Sequence, residues 1–72
     1  MSRATQTIPL APLGRILQNA GAKRVSQDAM EEFSSILTSI GEDIASKALL
    51  IAKHAGRKTI HDGDIKIAAK TM

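Results

Sequence analysis

The sequence predicts an all-α chain: a short helix, one long helix and a second short helix. Three observations predict it. Apolar residues recur at spacings of three and four along most of the chain, which is the period of one helix face. Pro9 and Pro12 restrict the N-terminal backbone and argue against a strand that must pair in a sheet. Gly21 and Gly56 each end a periodic run and open a basic connector, dividing the chain into three.

Residues 1–7 are polar and aperiodic and read as a flexible leader, with one domain over residues 8–72. Pro12 suits a first helical turn, where its missing N–H costs nothing. Leu13, Ile16, Leu17 and Ala20 then form one stripe, giving a helix over residues 11–20 that stops at Gly21 as its C′ residue. A connector with Lys23 and Arg24 follows. Ser26 has the chemistry of an N-cap, Asp28 favours the first turn through the helix dipole, and Val25 and Met30 have the spacing of a hydrophobic staple.

The second helix is expected over residues 27–55 and decides the architecture. Met30, Phe33, Leu37, Ile40, Ile44, Ala48, Ile51 and Ala55 advance by threes and fours, and only Gly41 interrupts, at a cost of about 1 kcal/mol. Such a helix spans about 44 Å. A compact globule of this chain length has a radius of gyration near ~11 Å, so a diameter of about 29 Å. The apolar face overshoots its own domain, and two short helices cannot cover it; a second copy crossing it can. Lys53 and His54 enrich the last turn before Gly56. Arg57 to Ile60 forms a second basic connector. Asp62 and Asp64 favour a helix start, weakened by Gly63, and Ile65, Ala68 and Ala69 supply a third stripe.

Composition narrows the function. A chain of 72 residues is marginal alone, and with no cysteine it has neither disulfides nor thiolate metal sites to staple it. His54 and His61 lie on either side of Gly56 and share no helical face, so oligomerisation is the remaining staple. A net charge of +3 leans toward an anionic partner, although a solvated basic surface explains it equally well. Phe33 is the one aromatic residue, so there is no platform for stacking single-stranded bases; a nucleic-acid partner must be a duplex held by its backbone. No signal-like or membrane-length apolar run is present, which makes a soluble cytoplasmic protein the default.

Specific blocks then carry a resemblance. Pro9-Leu10-Ala11-Pro12-Leu13-Gly14-Arg15-Ile16, the connector Ala20 to Ser26, Asp43-Ile44-Ala45-Ser46 and above all Ala52-Lys53-His54-Ala55-Gly56-Arg57-Lys58-Thr59-Ile60 resemble archaeal histones, over about residues 8–70. The resemblance implies the histone fold as an intertwined handshake homodimer, each first loop beside the partner's second. Dimers would meet through a four-helix bundle, as tetramers or larger assemblies on DNA, and wrap and compact double-stranded DNA into nucleosome-like particles with little base specificity. It implies DNA contacts from Arg15, Lys23, Arg24, Lys58 and Thr59, a clamp between Arg57 and Asp64 within one chain, and a dimer–dimer interface of Ile51, His54 and Asp64. Phe33, Leu37, Ile40 and Ile44 would form the dimer core. A histone paralogue is an alternative dimer partner. Neither catalysis, cofactor, metal, membrane nor small-molecule substrate is implied, and the expected place is the cytoplasmic nucleoid.

Departures from the family pattern are Gln18, Glu42 and His61, where relatives often carry basic residues, and Ser35 and Ser39, which cannot form charge pairs between stacked dimers. Long filaments are therefore a weaker expectation than DNA binding. A dimerisation module inside a larger assembly would keep the long apolar helix but not all of Arg15, Arg24, Lys58 and Thr59. A ribbon-helix-helix repressor needs an N-terminal strand, which Pro9 and Pro12 oppose. His61-Asp62-Gly63-Asp64 lacks the spacing of a calcium loop and reads as a cap.

Overall fold

The computed structural model describes residues 8–71, and every described element is helical or a connector: α1 (Leu10–Asn19), α2 (Gln27–His54) and α3 (Asp62–Lys70). The leader expected over residues 1–7 lies outside the described residues. The chain divides into two compact units, residues 1–39 and 40–72, with α2 contributing to both.

In the first unit α1 begins one residue sooner than the sequence suggests. Pro9 is its N-cap, with φ −58° and ψ 146°, and no side chain caps it. It also ends one residue sooner, because Ala20 is the C-cap. Gly21 follows at φ +120°, a conformation that L side chains rarely adopt. There the N–H of Gly21 donates to the Gln18 carbonyl at 2.9 Å and that of Ala22 to the Leu17 carbonyl at 3.2 Å, the two bonds of a Schellman stop. Ser26 starts α2 as its chemistry predicts: the Ala29 N–H donates to Ser26 Oγ at 3.0 Å.

Small and polar side chains let α1 lie close to α2. Leu13 is buried, and so are Ser34, Ser35 and Thr38 on α2. Ser34 Oγ donates to the Ile8 carbonyl at 2.9 Å, tying the segment before α1 to the long helix. A Cβ on Gly14 would stand 2.9 Å from Met30 Sδ, so the thioether rests against glycine where a larger residue would push it aside.

The second unit is built on alanine. Ala48 and Ala52 of α2 and Ala68 of α3 are fully buried, and Asp64 of α3 is buried as well. Methyl-sized side chains allow the backbones of α2 and α3 to approach. Gly56 (φ +72°) stops α2 with the same pair of bonds, Gly56 N–H to the Lys53 carbonyl and Arg57 N–H to the Ala52 carbonyl, both 2.9 Å. Asp62 opens α3 after His61 as N-cap, and Lys47 Nζ donates to the Thr71 carbonyl at 3.3 Å beyond the end of α3.

Among the described residues the buried apolar set is thus one leucine and three alanines, while large aliphatics stay open: Ile36 is 48% exposed, Leu49 41%, Leu50 58% and Ile67 53%. Of the expected dimer-core residues, Phe33, Leu37 and Ile44 are half-buried and Ile40 is exposed. A full burial of one such side chain is worth about 1.5–3 kcal/mol, and within one chain part of that is unrealised.

Candidate nucleic-acid interface

The basic residues singled out from the sequence fall into two sets, one in each unit. In the first unit Arg15 lies on α1, and Lys23 and Arg24 lie in the connector that Gly21 turns outward from the helix; all three are exposed. None has a hydrogen bond or ion pair among the described residues. Their charges are therefore available to an outside anion.

In the second unit the loop after α2 is held by one buried carboxylate. Arg57 Nη2 donates to Asp64 Oδ1 at 2.9 Å and Arg57 Nη1 to Asp64 Oδ2 at 3.0 Å, a bidentate fork on a side chain that is 5% exposed. Arg57 Nη1 also donates to the Thr59 carbonyl at 2.9 Å, and the His61 N–H donates to Asp64 Oδ2 at 2.8 Å. One carboxylate thereby fixes the start of α3, the guanidinium and the loop between them. The arginine's hydrogen bonds, with help from the His61 N–H, lower the Asp64 carboxyl to about 2 despite its burial. Reciprocally, the hydrogen bonds it donates to Asp64 raise the Arg57 guanidinium above its ordinary value.

This arrangement sorts the loop's cations. Arg57 is half-buried and neutralised by Asp64, whereas Lys58 is exposed with no partner among the described residues. Thr59 is exposed as well; its carbonyl serves Arg57. Of the residues expected at an interface between dimers, Ile51 is half-buried, His54 is exposed and Asp64 is buried. Three of the roughly four acceptor positions of the Asp64 carboxylate are filled from its own chain, leaving about one for an outside donor.

Sequence reasoning missed two contacts: Ser34 with the Ile8 carbonyl, and the N-cap position of His61. The second was readable, since His61 and Asp64 stand at the spacing of a capping box. The first carried no signal, because a serine inside an amphipathic helix says nothing about what lies across from it. Among the described residues no group of three or more His, Cys, Asp or Glu side chains could hold a metal ion. No described helix is long and apolar enough to cross a membrane.

The sequence signature of the family described as histone-like transcription factor (CBF/NF-Y) and archaeal histone matches residues 6–69. The chain is 40% identical over 63 residues to one of the subunits of archaeal histone HAN1 from Thermococcus zilligii, covering 88% of this chain and 94% of that protein. It is 46% identical over 63 residues, with the same coverage of each chain, to the probable archaeal histone 3 of Methanocaldococcus jannaschii.

Proposed function

The chain belongs to the histone-like (CBF/NF-Y) and archaeal histone family, and we propose that within it the chain works as an archaeal-type histone that pairs with a second copy and wraps duplex DNA. It is a non-catalytic, architectural DNA-binding protein, associated with the chromosome. The observation that carries this reading is the family match itself, which spans α1, α2 and all but the last residue of α3. The exposed cations give the chemistry: Arg15, Lys23, Arg24 and Lys58 are poised for phosphates, with Thr59 as a hydroxyl beside them. With one aromatic residue in the sequence and no strand among the described residues, binding tracks the backbone and the ease of bending the duplex, not base identity.

Pairing answers the thin core. Two long helices crossing, through Phe33, Leu37, Ile40 and Ile44, cover aliphatic surface that one chain leaves open. The crossed arrangement sets each first loop beside the partner's second, so Arg24 of one copy and Lys58 of the other serve one stretch of DNA. Ile51, His54 and the remaining acceptor of Asp64 then meet a second dimer. A histone paralogue can replace the second copy, and the cytoplasmic nucleoid is the compartment this reading assigns.

The test is a salt titration of binding to two duplexes of unrelated sequence, for the wild-type protein and Arg24→Ala. Both duplexes bind alike, and log affinity falls linearly with log salt. Arg24→Ala weakens both equally and lowers the slope by about one per protomer. A loss confined to one sequence contradicts the assignment.

A further inference from the structure

The second-unit loop carries one exposed ionisable group that the reading above leaves without a role. His61 follows Ile60 directly and stands three residues from Lys58, with backbone angles φ −104° and ψ 167°. Its main chain is fixed by the 2.8 Å bond from its N–H to Asp64 Oδ2, while its side chain is exposed. The anchoring that fixes His61 is the same one that neutralises Arg57, so the loop's outward charge comes from Lys58 and from whatever proton His61 holds.

We propose that His61 is a second, titratable phosphate contact of the Lys58 loop, making the grip on duplex DNA tighter at about pH 6 than at about pH 8. This rests on the DNA-binding reading above. Histidine is the side chain whose charge ordinarily changes in that interval. In a loop with one unpartnered lysine, a protonated imidazole doubles the outward positive charge. A polyanion at hand favours the protonated ring, so the complex takes up protons and affinity rises as pH falls. The charged groups nearest along the chain act in both directions. Asp62 and Asp64 of α3 favour the proton, while Arg57 and Lys58 in the loop and Lys53 in the last turn of α2 disfavour it; His54 is the other histidine of this unit.

The experiment measures affinity for one mixed-sequence DNA duplex at about pH 6 and about pH 8 for wild type, His61→Gln and His61→Lys, with helicity recorded at both pH values. Wild type is expected to bind more tightly at the lower pH, by about fivefold per histidine at low salt, the size of a well-made exposed ion pair. His61→Gln is expected to bind at both pH values as wild type does at the higher one. His61→Lys is expected to match, at the higher pH, the wild-type protein at the lower. If His61→Gln and His61→Lys keep the wild-type pH response, the dependence arises at His54 and the proposal is overturned. A wild-type affinity that does not change with pH overturns it as well. No duplex binding at either pH overturns both this proposal and the DNA-binding reading, which separates the two failures.

Discussion

Asp64 anchors more of the second unit than any other single side chain. It receives both nitrogens of the Arg57 fork and the His61 N–H, and it does so buried. Unfolded, the carboxyl titrates near 3.8; in the fold it is lowered to about 2. Between those values the unfolded chain binds more protons than the folded one, so stability rises with pH across the interval. The contribution is complete above the unfolded value and is lost as pH falls through about 2. Asp64→Asn therefore lowers the thermal midpoint at neutral pH, and the gap to wild type narrows in melts recorded from about pH 5 down to about pH 2. A gap that stays constant over that range contradicts the assignment. The pairing of Arg57 with Asp64 came to light in the sequence through family resemblance, since seven residues of separation across a loop set no fixed geometry. The N-cap position of His61 is a matter of local chemistry, set by Asp64 three residues on, although Gly63 weakens the first turn and blurs where α3 starts in the sequence.

At the scale of elements, the helix ends were the best-encoded features. Gly21 and Gly56 both stand one residue past a C-cap at positive φ, and Ser26 caps α2 with its own oxygen. These are short-range effects, fixed by residues within one turn, which is why sequence alone reaches them. The bounds shift by a single residue at α1 and at the end of α2 because the terminal alanine in each case is the half-helical cap. Gly56→Ala tests the αL stop directly. Nothing lies within 4 Å of a Cβ there, so the cost is conformational alone, about 1–2 kcal/mol of stability in chemical denaturation. A neutral or stabilising outcome contradicts the stop. What lay beyond the sequence was the identity of the packed faces. The periodic stripe of α2 groups Ala48 with Phe33, Ile40 and Ile51, yet within the chain only the alanine is buried, together with Ala52 and Ala68. Periodicity identifies an apolar face and is silent on which part of it meets its own chain and which part meets another.

At the scale of the whole molecule, the length of α2 and the thinness of the single-chain core make one argument. A helix of 28 residues carries an apolar face along its length, and the chain buries one leucine and three alanines among its described apolar residues. The proposed second copy supplies the missing cover, which couples folding to pairing. Leu37→Asp consequently removes the fold altogether: circular dichroism shows loss of helix, and sedimentation shows no compact monomer. A soluble helical monomer contradicts the pairing. The melting midpoint of the wild-type protein rises with concentration for the same reason.

The central claim, that paired chains wrap duplex DNA, is tested most directly by nuclease digestion of long mixed-sequence DNA saturated with the protein. The account predicts protected fragments of defined size. A regular ladder reports dimers added side by side, and a single short size reports an assembly that stops early, as Ser35 and Ser39 favour. Digestion at moderate salt to the same products as free DNA contradicts it.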